Sequence, residues 1–349
     1  MRVPPTAGPS RRASPAASAA GRATARDGDR PIGYVAADVG ERRPREIVAM
    51  LAAAGYSAVD WTMEQYEPLR DPPGQLRELV QRAQNAGLRV PQLMVHQDHV
   101  TLDPELWEQR VSRAECAVMA CAHAEIDSIG VLTGPNPWER GALRVGRDIA
   151  EGQAWELALR ALERVLRRAE SAGVRVALEP CWGTLAHGRY RAEHAIQRLD
   201  CAALAVNFDP SHHVLCGDDV PAAARAWGGR IAHVHLKDAV GRCLPGGAPA
   251  GGERAVEGED FAFLLPGEGA VPWPALFDAL RAIRYTGAMS VENEAHPLLA
   301  GPLRGDLARC AGLARELVAG LLDGHPISRV AANGAGGSGA PAARWTAGA

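Results

Sequence analysis

Short apolar segments and longer helical segments alternate eight times between residues 31 and 323. The apolar segments predict strands near 31–37, 56–61, 88–96, 125–132, 174–179, 203–209, 230–237 and 287–292. Helices are predicted over 45–54, 74–86, 104–122, 151–172, 191–199, 220–227, 272–283 and 304–322. Eight such units are typical of a (β/α)8 TIM barrel, and a doubly wound open sheet is the alternative. Since no Gly-x-Gly-x-x-Gly fingerprint follows the first strand, the barrel is favoured.

The two ends of the chain differ in composition from this middle part. Residues 1–30 are rich in Ala, Pro, Ser and Arg, and residues 324–349 are rich in Gly and Ala. Such segments cannot bury an apolar face, which predicts disordered extensions on either side of a catalytic domain at 31–323. The Arg-rich start also leaves a transit peptide, or a twin-arginine signal at Arg11 and Arg12, as alternatives.

The charge distribution limits the classes of partner. The chain has a net charge of −3, but residues 1–30 carry +4 and residues 324–349 carry +2, which leaves −9 on 31–323. A domain this acidic is a poor nucleic-acid binder. No apolar run reaches the roughly 18 residues of a membrane-spanning helix. Seven cysteines without a Cys-x-x-Cys pair fit free thiols in a reducing compartment, so a cytoplasmic protein is expected.

Four of the later predicted strands end in a polar residue, namely Glu179, Asp209, His235 and Glu292. Because alternate residues of a strand face opposite sides, the apolar residues just before these tips face the helices and the tips face inward. The carboxyl ends of barrel strands carry the active sites of this architecture. We therefore expect these four side chains to converge there.

Three carboxylates and an imidazole would repel one another unless a positive charge lay among them. One divalent cation meets that need, and a ligand set of this kind suits Mn²⁺ best, with Mg²⁺, Co²⁺ or Zn²⁺ as alternatives. Unrelated polar residues at strand ends are the competing interpretation. The shared parity of all four favours the metal site.

The motifs around these residues resemble those of one superfamily. They read Ala-Leu-Glu-Pro at 177–180, Asn-Phe-Asp-Pro-Ser-His at 207–212, His-Val-His-Leu-Lys-Asp at 233–238, Pro-Gly-Glu-Gly at 266–269 and Ser-Val-Glu at 290–292. This order is similar to that of the xylose isomerase-like TIM barrels of the sugar phosphate isomerase/epimerase type. The resemblance implies that Glu179, Asp209, His235 and Glu292 bind the metal and that His212 contacts substrate. It also implies that the two glutamates form the acid/base pair.

Further candidates come from the residues themselves. Lys237 is the single lysine of the chain, and a compact ammonium beside an enediolate would stabilise its charge. His96, Trp61 and Trp182 follow or end predicted strands and are candidates for binding substrate, with ordinary rim packing as the alternative. We expect the loop at 239–265 to cover the site.

These features predict an isomerase or epimerase that acts on a small sugar-like α-hydroxy carbonyl compound through an enediolate. A keto-inositol dehydratase or an oxidised-glycoside lyase is the alternative, because it would use the same metal and the same proton removal. Ketose 3-epimerases carry a further Glu where Leu185 stands. Apurinic-site endonucleases carry an Asp and a His where Phe261 and Phe263 stand, which makes a nuclease the least favoured class. The expected partners are a small carbohydrate-like substrate and a second copy of the chain in a homo-oligomer, with no nucleic acid and no membrane.

Overall fold

Eight parallel strands close into a barrel, so the predicted fold class is confirmed. The structure is a computed structural model that describes residues 30–37, 39–70, 74–241, 261–294 and 304–324. The predicted extensions at 1–30 and 324–349, apart from Arg30 and Gly324, lie outside the described residues, as do 242–260 of the predicted covering loop.

The barrel strands follow one another in chain order around the ring. They are β1 (Ile32–Val35), β2 (Ala58–Thr62), β3 (Gln92–Val95), β4 (Ser128–Val131), β5 (Arg175–Leu178), β6 (Leu204–Phe208), β7 (Ile231–Leu236) and β10 (Met289–Val291). The ring closes where β10 pairs with β1 and β7 in parallel register. A two-stranded antiparallel hairpin, β8 (Asp238–Gly241) and β9 (Phe261–Leu264), branches off after β7.

Helices alternate with the barrel strands and cover their outer side. They are α1 (Pro44–Ala53), α2 (Gln75–Asn85), α3 (Pro104–Ala124), α4 (Glu151–Ala172), α5 (Gly188–Leu199), α6 (Pro210–Cys216), α7 (Val220–Trp227), α8 (Trp273–Ala282) and α9 (Leu307–Leu322). None of these described helices combines the length and the apolar composition needed to cross a membrane. The six described cysteines are free.

Local sequence fixes the ends of the longer helices. Asp103 caps α3, since its side chain accepts hydrogen bonds from the backbone N–H groups of Glu105 and Leu106, and a proline occupies the first turn. Gly173 ends α4 in the left-handed conformation at φ +71°, which a residue with a side chain rarely adopts.

The strands direct alternate residues to two separate cores. Val176 and Leu178 of β5 belong to the large apolar core between the strands and the helices. Ala177, with Ala205 and Ala232 of neighbouring strands, forms a small cluster of its own. This alternation directs Glu179, the next residue after β5, to the same side as Ala177.

Two elements near the strand ends were not predicted. Helix α6 begins directly after Asp209, and the β8–β9 hairpin begins directly after Lys237. Both are short, and both start at the carboxyl end of a barrel strand. They therefore surround the edge where the predicted site lies.

Candidate active site

The structure brings the four predicted strand-end residues together. The Nδ1 atom of His235 lies 3.6 Å from Glu179 Oε2, 3.7 Å from Asp209 Oδ2 and 3.4 Å from Glu292 Oε2. All four side chains are buried. The ligand atoms of Glu179, Asp209, His212 and Glu292 also lie within 4.8 Å of one another.

This arrangement fits a divalent cation. Among the described residues, the buried Nδ1 of His235 has no hydrogen-bond partner although three carboxylates surround it. Buried polar atoms without partners are rare and often mark an ion site. Carboxylate oxygens together with one imidazole nitrogen suit Mn²⁺, Mg²⁺ or Zn²⁺. Glu179, Asp209, His235 and Glu292 are the residues that would hold it.

Neighbouring polar groups orient two of these carboxylates. Asp209 precedes α6, and its Oδ1 accepts hydrogen bonds from Ser211 N at 2.8 Å and from Ser211 Oγ at 2.6 Å, so Oδ2 is the oxygen that faces His235. Asn207 donates from Nδ2 to Glu179 Oε2 at 2.6 Å. Such outer contacts hold ligands in place before a metal binds.

Lys237 lies against the same cluster. Its ammonium is 2.5 Å from Glu292 Oε2, 3.1 Å from Asp209 Oδ2 and 2.9 Å from Glu294 Oε2, and the residue is only 2% exposed. It also stands 4.6 Å from the centre of the Phe263 ring. Burial lowers the pKa of Lys237, but the carboxylates of Asp209 and Glu292 outweigh it and hold the pKa well above its usual range. The side chain is therefore a buried cation.

Two further histidines contact Glu179 from other sides. His212 Nε2 lies 3.2 Å from Glu179 Oε1, and His96 Nε2 lies 3.3 Å from Glu179 Oε2. His212 is buried, whereas the His96 side chain is 23% exposed. His96 thus marks the accessible side of the cluster.

The surrounding charges keep both glutamates ionised. Burial raises the pKa of Glu179, but His235 and His96 outweigh it and bring the pKa well below its usual range. Burial also raises the pKa of Glu292, and Lys237 and His235 lower it by more. Burial lowers the pKa of His235, while Glu179 and Glu292 raise it well above its ordinary value. A cation that binds Nδ1 of His235 would therefore release a proton.

The structure places the two tryptophans differently from each other. Trp61, a predicted substrate-binding residue, is fully buried and belongs to the large apolar core between strands and helices. Its neighbour Asp60 reaches His233 instead, at 2.9 Å. Trp182 lies in a second cluster above the strand ends, with its ring centre 5.0 Å from that of Phe261.

Three polar residues near the site were not predicted. Asn207 lies two residues before Asp209, and Glu294 lies two residues after Glu292, so strand parity alone points both of them toward the site. The third, Asp60, forms a buried pair with His233.

Curated proteins match part of the chain in sequence. Inosose dehydratase from Clostridium beijerinckii is 26% identical over 150 residues, which cover 43% of this chain and 50% of that protein. The rhizopine catabolism protein MocC from Rhizobium meliloti is 30% identical over 181 residues, covering 47% of this chain and 52% of that protein. The chain spans about half the length of the curated relatives it matches.

Solved structures match over a larger part of the chain. D-psicose 3-epimerase from Clostridium cellulolyticum H10 has a TM-score of 0.62 at 18% identity, covering 84% of this chain and 99% of that one. The IolI protein with a bound zinc atom has a TM-score of 0.63 at 16% identity, with 84% and 99% coverage. These similarities establish the fold. Because the family model for the xylose isomerase-like TIM barrel matches residues 48–313, the chain belongs to that family.

Proposed function

We propose that this protein moves a proton on the carbon next to the carbonyl of a small, sugar-like hydroxy ketone or aldehyde, as an isomerase or epimerase. One observation carries the proposal. Two ionised glutamates from separate strand ends, Glu179 and Glu292, approach the same His235 nitrogen at 3.6 Å and 3.4 Å. When bound there, a divalent cation supplies Lewis-acid polarisation of the carbonyl, which acidifies the neighbouring C–H bond.

The side chains of the cluster have separate tasks in this reaction. Glu179 and Glu292 follow β5 and β10, so one carboxylate can take the proton from one side while the other returns it on the opposite side. Asp209 and His235 complete the ligand set and stay fixed. Lys237 presents an ammonium that stabilises negative charge on a substrate oxygen.

Three other residues are proposed to contact the substrate. His212 Nε2, 3.2 Å from Glu179 Oε1, can hydrogen-bond a substrate hydroxyl. His96 lies on the accessible side of the cluster and would bind the incoming ring. Trp182, together with Phe261, would form the apolar wall against which a sugar's C–H face packs. A carbohydrate-like substrate suits a site that combines the charged strand-end cluster with the aromatic rings of Trp182 and Phe261.

Elimination of water or of a glycosidic group is the second candidate. Leu185 occupies the position at which ketose 3-epimerases carry a further Glu, and it is buried among apolar residues. Two matched relatives are named inosose dehydratase and rhizopine catabolism protein. In this reaction one of the two glutamates, Glu179 or Glu292, removes the α-proton, and Lys237 gives a proton to the leaving oxygen.

The packing of the hairpin argues against a nuclease. Phe261 and Phe263 stand where apurinic-site endonucleases carry metal ligands, and their rings pack at 5.0 Å from Trp182 and 5.7 Å from His212, centre to centre. Phenyl rings cannot bind a cation through oxygen or nitrogen, so these two positions supply no ligands for additional metal ions.

The test is a solvent-exchange experiment with Mn²⁺-loaded protein in D₂O. The substrates are a panel of ketoses, keto-inositols and 3-keto-glycosides, and products are followed by NMR after the metal is removed. An isomeric product with deuterium at the α-carbon supports the isomerase, and an unsaturated product that has lost water or an aglycone supports the lyase.

Two variants serve as controls for this experiment. Glu292→Gln should slow exchange about 10²–10⁴-fold. Glu156→Gln, which alters an exposed glutamate of α4, should leave exchange unchanged. If the Mn²⁺-loaded protein exchanges no α-proton in any member of the panel, the proposed function is wrong.

A further inference from the structure

Asn207 lies between two of the proposed metal ligands. Its Nδ2 atom is 2.6 Å from Glu179 Oε2 and 3.2 Å from His235 Nε2. Among the described residues, its Oδ1 atom is buried and has no hydrogen-bond partner. The Nδ2 end of the amide therefore contacts two groups, and the Oδ1 end has no hydrogen-bond partner among the described residues.

The chemistry of the imidazole makes this placement informative. His235 faces the three carboxylates with Nδ1, so the proposed cation would bind there. A neutral imidazole that binds a cation through Nδ1 carries its hydrogen on Nε2. That hydrogen would then point at Nδ2 of Asn207, which is itself a donor. Two donors at 3.2 Å repel each other, so the present orientation of the amide leaves that hydrogen without an acceptor.

We infer that Asn207 is a positioning residue that selects Nδ1 of His235 for the cation by turning its side-chain amide to accept the Nε2 hydrogen. A half-turn of the amide exchanges its two ends. It brings the partnerless Oδ1 to His235 Nε2 and withdraws the Nδ2 hydrogen from Glu179 Oε2. The inference rests on the proposed cation site, and it assigns a function to a residue that is itself no ligand.

The half-turn also couples two ligands to each other. With Nδ2 withdrawn, the carbonyl oxygen of Asn207 faces Glu179 Oε2 and repels it toward the cation. One turn of the Asn207 amide therefore acts on both Glu179 and His235. Metal-bound histidines generally donate their other N–H group to a fixed acceptor, and the loss of that acceptor typically weakens metal binding about 10–100-fold.

The test compares three variants of the full chain by Zn²⁺ titration calorimetry and by ¹⁵N NMR of histidine-labelled protein. Asn207→Leu keeps the volume and removes the acceptor, so Zn²⁺ affinity should fall about 10–100-fold. Asn207→Asp keeps an acceptor, so its Zn²⁺-loaded form should retain a slowly exchanging Nε2 hydrogen on His235, as the wild type does. Gln92→Leu removes another buried amide, one that contacts Ser128 at 3.4 Å, and should leave the affinity unchanged.

The results that would contradict the cation site differ from those that would contradict the role of Asn207. If wild-type protein binds no Zn²⁺, the proposed cation site is wrong, and this inference with it. If wild-type protein binds Zn²⁺ but Asn207→Leu binds it equally well, only the role of Asn207 is wrong. Coordination of Zn²⁺ through Nε2 of His235 in the wild type would also overturn the inference. Should Asn207→Leu fail to fold, the Nε2 hydrogen of Zn²⁺-loaded Asn207→Asp decides the question, since its absence contradicts the proposed bond.

Discussion

Replacing Lys237 by Met is expected to destabilise the cation-free protein by about 3–5 kcal/mol, the usual cost of removing one partner from a buried ion pair. The ammonium touches carboxylates of Glu292 at 2.5 Å, Glu294 at 2.9 Å and Asp209 at 3.1 Å. At an effective dielectric constant of about 20, one charge pair at about 3 Å attracts by about 5 kcal/mol. Desolvation of the buried ammonium offsets several kcal/mol of this attraction. Methionine nearly keeps the volume of the lysine side chain, so the loss of stability reports charge rather than volume.

The assay is urea denaturation at pH 7 in the presence of EDTA, followed by circular dichroism. Arg147→Met is the matched control, because Arg147 pairs with Asp148 at a comparable 2.8 Å but has a side chain that is 62% exposed. Exposed pairs contribute at most about 1 kcal/mol. The two variants therefore separate the effect of burial from that of distance.

Adding Mn²⁺ extends the test. In the wild type a divalent cation competes with the ammonium for Asp209 and Glu292, whereas in Lys237→Met it meets carboxylates without a counter-charge from residue 237. Mn²⁺ should therefore stabilise Lys237→Met more than the wild type. A loss in EDTA no larger than that of Arg147→Met would refute the reasoning, as would equal stabilisation of both proteins by Mn²⁺.

Glu292→Gln should lower turnover about 10²–10⁴-fold, as expected for loss of a general acid or base, while calorimetry still detects Mn²⁺ binding. Near-normal turnover would contradict the assigned role. Gly134→Ala places a Cβ atom in steric overlap with Asp98 Oδ1 at a φ of +74°, so it should cost more stability than Gly146→Ala, where φ is +84° but no atom lies within 4 Å. Equal urea midpoints would contradict this. Burial raises the pKa of Asp98 to about 6 and lowers the pKa of His99 to about 4. Between pH 4 and 6 the folded protein holds more protons at Asp98 than the unfolded chain does, so the contribution of Asp98 to the free energy of unfolding falls as the pH rises. At His99 the folded protein holds fewer protons, so the contribution of His99 rises with pH. The free energy of unfolding of Asp98→Asn minus that of the wild type should therefore increase with pH, and the same difference for His99→Gln should decrease. If the plots of unfolding free energy against pH run parallel for the variants and the wild type, both pKa shifts are contradicted.

The barrel and the strand-end cluster could be predicted because both depend on local periodicity. Alternating apolar segments specify the β/α units, and the two-residue period of a strand specifies which side chain faces inward. Val176 and Leu178 are in the outer core, as that period requires, and Glu179 follows them on the inner side. Parallel strands in a barrel end at the same edge, so agreement in parity was enough to bring four distant residues together.

The position of Trp61 shows where this reasoning is weaker. The predicted strand at 56–61 ends with Trp61, whereas β2 runs over Ala58–Thr62, and Asp60 is the residue whose side chain reaches His233. A shift of one residue exchanges the two faces of a strand. A short apolar run holds too little information to fix that register, so the sequence does not determine on which side of the strand Trp61 lies.

Contacts across the barrel lay beyond sequence analysis for a different reason. Asp60 on β2 and His233 on β7 are separated by 173 residues in the chain, and by two strands in one direction around the ring and four in the other, yet their side chains meet at 2.9 Å. No short-range pattern in the sequence relates Asp60 to His233, because only closure of the barrel brings the two residues together. The His233 ring stands edge-on to His235, with centres 5.6 Å apart at 84°. His235 is thus contacted by His233, which Asp60 fixes, and by Asn207 at Nε2. These two supports leave Nδ1 as the nitrogen that faces the carboxylates, which explains how a rigid barrel interior can hold one imidazole ready for a cation.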